Sequence, residues 1–153
     1  MADYSHFSRY IVENPTDHKN IQEMKHVLFQ ISVDEIADNE RRLGRSFPEQ
    51  LREFYHKIGY GFLCQLDSTR FNRIMDPYSV VDFMLGEDIY EFDEDRELYD
   101  LDHEVVFFQI VEGCYLTIRP DGCIYYFGKK IADSLEKFLK KMDEQTDYYL
   151  SGN

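Results

Sequence analysis

Between Val105 and Phe127 three apolar runs follow one another closely: Val105 to Val111, Cys114 to Arg119 and Cys123 to Phe127, separated by Glu112-Gly113 and Pro120-Asp121-Gly122. The separators are hairpin chemistry, since glycine supplies positive φ where a tight turn needs it and proline presets φ at the turn's first central position. Three antiparallel strands are predicted, and no other feature constrains the fold as much. With a two-residue loop at Glu112-Gly113, Val111 faces Cys114, Ile110 faces Tyr115, Gln109 faces Leu116, Phe108 faces Thr117 and Phe107 faces Ile118. One face then carries Phe107, Val111, Cys114, Leu116 and Ile118, and the other Val106, Phe108, Ile110, Tyr115 and Thr117. Tyr125, Tyr126 and Phe127 add aromatic rings. Both faces are apolar, so both must be covered, or one is kept for a partner.

The coverings read as amphipathic helices. Ser32-Val33-Asp34-Glu35 is a capping box, in which Ser32 accepts from the Glu35 backbone N–H and the Glu35 carboxylate reaches back. Val33, Ile36, Glu40 and Leu43 follow one helical face, and Gly44 ends it as a residue able to turn left-handed. Phe47-Pro48 opens a second helix with Pro at its first position, and Leu51, Phe54, Tyr55 and Ile58 form a stripe before Gly59 and Gly61. Asp76-Pro77 starts a third, which carries Val80, Val81, Met84 and Leu85 into Gly86. A last helix is predicted from Ile131, with Leu135, Phe138, Leu139 and Met142 on its buried face, Lys137, Lys140 and Lys141 near its cation-favouring end, and a polar tail from Asp143. Tyr4, Phe7, Tyr10 and Ile11 suit a short helix stopped before Asn14-Pro15. Asp17 to Gln30 allows a helix, a loop, or a helix running into a short strand. Phe62 to Leu66 and Arg70 to Met75 have strand character without strict alternation.

Composition narrows the class. The 153 residues carry 17 Lys plus Arg against 30 Asp plus Glu, a net charge of −13, with 43% hydrophobic residues including 12 Phe and 12 Tyr. A chain of this length buries about 68–70% of its unfolded surface, which suffices for one core, and the aromatic content argues against disorder. Without an internal linker or repeat, a single domain over residues 1–153 is expected. Phosphate backbones and anionic bilayers repel such a chain, so neither nucleic acid nor membrane is an expected partner; a basic protein is, because complementary fields speed encounter by about 10–10³-fold. Met1 to Phe7 lacks the cationic and apolar regions of a secretory signal, and no apolar run is long enough to span a bilayer. Cys64, Cys114 and Cys123 form no C-x-x-C pair, which points to reduced thiols and a cytoplasmic location; each is most simply a small buried hydrophobe. Placed a strand length apart, Cys114 and Cys123 lie beyond disulfide reach.

Catalytic and cofactor motifs are absent. His6, His18, His26, His56 and His103 show no H-E-x-x-H and no i, i+4 pairing and are expected at the surface. There is no G-x-G-x-x-G, no P-loop and no G-x-S-x-G, and Cys64 has no sequence neighbour suited to activate it. Catalytic residues, metal ligands and cofactors are therefore all expected to be none. A calcium-loop reading from Asp93 through Asp95, Glu97 and Glu104 fails at Leu98, where the turn demands Gly, and at Asp100, where an apolar residue belongs.

The unusual segment is Glu87 to Glu104, whose ten acids against Arg96 alone account for −9 of the −13. Its plain reading is a solvated loop that aids solubility. Against that reading, Tyr90, Phe92, Leu98, Tyr99 and Leu101 are interleaved with the carboxylates, as in protein-binding surfaces. The candidate partner-binding residues are Glu91, Asp93, Glu94, Asp95, Glu97, Tyr99, Asp100, Asp102 and Glu104.

The helix pair resembles the SUKH superfamily, the Smi/Knr-like proteins, whose signature runs I-x-x-x-E-x-x-L-G-x-x-(F/L)-P-x-x-(L/Y)-(K/R)-x-F-(L/Y). Ile36, Glu40, Leu43, Gly44, Pro48 and Phe54 match it in spacing. Ile110 to Ile118, the Asp121-Gly122 turn and Ala132 to Leu139 are similar to the family's terminal strands and helix, so the likeness covers most of residues 4–142. Ile58-Gly59-Tyr60-Gly61 departs from the usual Asn-Gly-Gly corner, and the acidic insert 87–104 is outside the pattern. The resemblance implies an α+β fold, a mainly antiparallel sheet with helices packed around it. It also implies a non-enzymatic bacterial immunity protein that neutralises a cognate toxin domain, often a nuclease, acting as a monomer or weak homodimer. The other function it implies is a regulatory protein-binding scaffold of the cell-wall-regulator type. Charge agrees with the first, because carboxylates can occupy a nuclease cleft where phosphates would lie.

Overall fold

The computed structural model describes residues 2–13, 21–66 and 69–150. Among the described residues, seven strands form one antiparallel sheet in which every strand lies beside its neighbours in sequence: β1 (Val27–Phe29), β2 (Tyr60–Phe62), β3 (Arg73–Ile74), β4 (Val105–Val111), β5 (Cys114–Ile118), β6 (Ile124–Tyr126) and β7 (Lys129–Ala132). Among the described residues, the α-helices around it are α1 (Ser5–Ser8), α2 (Val33–Leu43), α3 (Glu49–Lys57), α4 (Pro77–Leu85) and α5 (Leu135–Glu144). This is the expected α+β architecture. The first part of Asp17 to Gln30 and the stop at Asn14-Pro15 lie outside the described residues; the described remainder leads into β1.

Local chemistry explains the helix ends. Ser32 Oγ accepts from the Glu35 N–H at 3.1 Å, and Gly44 closes α2 with φ of 81°. Between α2 and α3 the Glu40 carboxylate accepts from the Phe47 N–H at 2.8 Å and from Arg52 Nε at 3.2 Å, so the signature glutamate fixes the corner. Pro48 stands just outside α3, not within its first turn, in an extended conformation. Asp76 caps α4 through the Ser79 N–H.

The hairpin is more irregular than period-two arithmetic predicts. Val111 does face Cys114, but Gln109 faces Tyr115, Phe108 faces Leu116, Val106 faces Thr117 and Val105 faces Ile118. Register shifts at Ile110 and Phe107 move the predicted pairing first by one residue and then by two. A bulge also lets two consecutive side chains reach one neighbour: Phe107 and Phe108 both meet the Phe138 ring of α5, at 5.9 and 5.3 Å. From Val105 to Phe108 every residue is buried, so both faces of this part of the sheet are covered.

Three further boundaries differ from the sequence reading. β2 begins at Tyr60, ahead of the predicted Phe62, and only Arg73 and Ile74 of Arg70 to Met75 are paired as a strand. Ile131 and Ala132 end the edge strand β7, so α5 begins after its cap Ser134, whose Oγ accepts from the Lys137 N–H. Beyond α5 the chain turns back onto the core: Tyr148 donates to the Ile131 carbonyl at 2.8 Å and Tyr149 to Asn72 Oδ1 at 2.6 Å.

Candidate partner-binding surface

A segment with nine net negative charges holds a shape only if something draws it inward, and four side chains do. Tyr90 is buried against Phe83 of α4, ring centroids 5.1 Å apart. Arg96 turns away from the carboxylates and donates to the Phe83 and Met84 carbonyls at 2.7 and 2.9 Å, at the C-terminal end of α4 where the Phe83 carbonyl also accepts from the Gly86 N–H. The buried Tyr99 hydroxyl accepts from the Tyr115 N–H at 3.0 Å. Glu104, also buried, accepts from the Asp100 N–H at 3.0 Å and from Thr117 Oγ1 at 2.8 Å, with Arg119 Nε at 3.6 Å. Burial pushes the Tyr99 and Tyr115 phenols up, so both stay neutral donors and acceptors at physiological pH. The ends of the segment are tied to the α2–α3 region: Arg42 pairs with Asp82 and Glu87, and Arg45 donates to the Leu101 and Asp102 carbonyls.

With those groups inside, the rest faces out. Of the nine candidates, Glu91, Glu94, Glu97, Asp100 and Asp102 are exposed, Asp93 and Asp95 are half-buried, and Tyr99 and Glu104 face inward and brace the segment. Asp93 Oδ1 accepts from the Asp95 N–H at 2.8 Å, which caps the short 3₁₀ turn Glu94–Leu98. Among the described residues, the ion pairs of the segment are Glu87 with Arg42, Asp100 with His103 and Glu104 with Arg119. No cationic side chain among them therefore reaches Glu91, Asp93, Glu94, Asp95 or Glu97. Of the interleaved apolar residues, Phe92 is 90% exposed and Leu98 57%, whereas Tyr90 belongs to the core. Two depressions flank the segment: one of about 410 Å³ opens between it and the β4–β5 turn, and one of about 270 Å³ is lined by Glu97, Asp100 and Asp102.

Sequence reasoning missed Phe71, Ile89 and Glu112, which line the larger depression together with Asp93 and Asp95. Glu112 reads only as a turn residue and Phe71 only as a strand residue; Ile89, apolar between Asp88 and Tyr90, carried a usable signal.

Elsewhere, His26 is a correction to the expected surface histidines. It is fully buried, with Nδ1 accepting from the Cys64 backbone N–H at 2.9 Å and Nε2 against Asp143 Oδ1 at 2.7 Å. His18 lies outside the described residues. The trio of Cys64, His26 and Asp143 superficially resembles a nucleophile with its base and orienter. However, the thiol donates to the Met142 carbonyl at 3.0 Å, and the ring nitrogen that would activate it is occupied by the backbone. The arrangement ties the chain ends together and leaves the sulfur unactivated. Cys64 is buried, Cys114 and Cys123 are half-buried, and none of the three is joined in a disulfide. Among the described residues no three His, Cys, Asp or Glu side chains gather as a metal site, and no helix is long and apolar enough to cross a membrane.

Comparison with known proteins agrees with the architecture. The chain is 37% identical over 128 residues to the immunity protein YxxD of Bacillus subtilis (strain 168), an alignment covering 80% of this chain and 86% of that one. No solved structure matches. The pattern that defines the SMI1 / KNR4 family (SUKH-1) matches residues 30–141, from just after β1 to the body of α5, and the chain belongs to that family.

Proposed function

We propose that this protein is an immunity protein that binds a toxin domain and neutralises it by presenting Glu91, Asp93, Glu94, Asp95, Glu97, Asp100 and Asp102 to a basic, phosphate-handling surface, and that the toxin is a nuclease. The carrying observation is a braced segment whose carboxylates face outward while its one arginine is committed to the end of α4. The 37% identical immunity protein supports the immunity role. A nuclease must gather cationic groups to hold a nucleic-acid backbone, and a fixed array of carboxylates competes for those groups without being cleaved. The protein needs no reactive group of its own for this. It needs only a surface that does not collapse when desolvated, which the buried Tyr90, Tyr99 and Glu104 supply.

Co-expression of this chain with its cognate toxin domain should restore growth that the toxin alone abolishes. Neutralising Asp93, Asp95, Glu97, Asp100 and Asp102 to their amides should slow association at low salt by about 10–10³-fold and flatten its salt dependence. Unchanged association rates at every salt concentration would refute the electrostatic part of the proposal.

A further inference from the structure

We infer that the depression between the acidic segment and the β4–β5 turn is a socket for one arginine or lysine side chain of the partner, with Ile89 and Phe92 as apolar anchors beside it. This rests on the toxin-binding reading above.

Apolar exposure gives the first observation. Ile89 is 78% exposed and Phe92 90%, and Phe71 opposite them is 46% exposed. Ile89 and Phe71 line the depression of about 410 Å³, and Phe92 immediately precedes its lining residue Asp93. Large exposed apolar side chains on the wall of a cleft, here Ile89 and Phe71, are what an interface covers. Charge selects the occupant. Asp93, Asp95 and Glu112 line the same depression, and Asp95 Oδ2 lies so close to the turn that a Cβ on Gly113 would sit 2.9 Å from it. Among the described residues, none that lines the cleft is cationic. An apolar or anionic occupant would strip water from these carboxylates without pairing them, which is strongly unfavourable. A guanidinium or ammonium pairs with them, while its aliphatic stem lies along Ile89 and Phe71. A second copy of this chain, at −13, meets the cleft with the wrong sign.

The test is calorimetric titration of the full-length chain with the toxin domain against which it protects in co-expression. I89A/F92A, altered only at exposed side chains, should weaken binding by about 30-fold or more, mainly through faster dissociation. D93N/D95N, which keeps the capping acceptor, should weaken binding and reduce its salt dependence. V33A, at an exposed apolar residue on α2, should match wild type. Wild-type affinity in I89A/F92A would overturn the inference and leave the toxin reading standing. Failure of the wild-type chain to bind or protect would instead remove the reading on which the inference rests. A wild-type dimer in sedimentation equilibrium that I89A/F92A dissolves would assign the patch to self-association and overturn the inference as well.

Discussion

Gly61 sits in β2 with φ of 148°, and a Cβ there would lie 2.1 Å from the Val27 carbonyl oxygen across the ladder. The obstruction is backbone in a paired strand, so it cannot swing aside as the end of a side chain could. Gly44 offers the contrast, since it is left-handed at the end of α2 with nothing within 4 Å of the added carbon. Gly44→Ala should cost about 1–2 kcal/mol, the conformational penalty alone, whereas Gly61→Ala should cost about 3 kcal/mol or more, because strain and clash combine. Urea unfolding of the two variants separates the cases, and equal midpoints would refute the close-packing account. From the sequence alone, Gly59 and Gly61 read as the stop of α3. What makes them necessary is the approach of β1, a contact between residues some thirty positions apart that no local pattern records. Glu40 differs: its place in the family signature was legible, but its function as acceptor for Phe47 and Arg52 required the folded corner.

At the scale of elements, the acidic segment is organised by what it buries. Tyr99→Phe should leave the Tyr115 N–H without its acceptor inside the protein and lower stability by about 1–3 kcal/mol, the penalty for an unsatisfied buried donor. Hydrogen exchange should report it as faster exchange of the Tyr115 amide. Phe92→Ala, at 90% exposure, should leave both stability and exchange nearly unchanged. If the two variants behaved alike, the division of the segment into bracing and displayed residues would be wrong. That division was not legible in the sequence. Tyr90, Phe92 and Tyr99 look equivalent among carboxylates, and only the position of Phe83 and Tyr115 beneath the segment decides which rings turn in. The same limit applies to β7. An edge strand that begins Lys129-Lys130 does not need the apolar alternation that marks a central one, and edge lysines guard against unwanted pairing, so the strand read as the approach to a helix. By contrast, the capped starts of α2 and α4 and their glycine ends were written locally and formed as read, except that of the two arms of the capping box at α2 the hydrogen bond to Ser32 Oγ is the one that forms.

Across the whole molecule, His26 joins parts that are far apart in sequence. Its ring bonds the chain just after β2 and the end of α5, and Asp143, its partner, also meets His6 of α1 at 3.0 Å and Lys25 at 3.1 Å. Burial holds the His26 imidazole below its ordinary range, an effect that the Asp143 carboxylate opposes and that Lys25 and His6 reinforce. Burial also works against the Asp143 charge, but hydrogen bonds from His26 and Lys25 outweigh it and keep the carboxyl below the usual range. Both shifts destabilise the fold in acid. Below about pH 6.5 the unfolded chain takes up a proton at His26 that the native state resists, so stability falls as pH drops until the native ring is also charged. Below about pH 4 the unfolded Asp143 protonates ahead of the native one, and stability falls again. One such group can contribute at most about 1.4 kcal/mol per pH unit. Urea midpoints at pH 7.5, 6.5 and 5.5 should decline in the wild-type chain. His26→Gln, which keeps a neutral amide between Cys64 and Asp143, should be less stable at pH 7.5 yet lose less on acidification. Identical pH slopes in the two proteins would show that the buried imidazole does not link the elements it joins to pH.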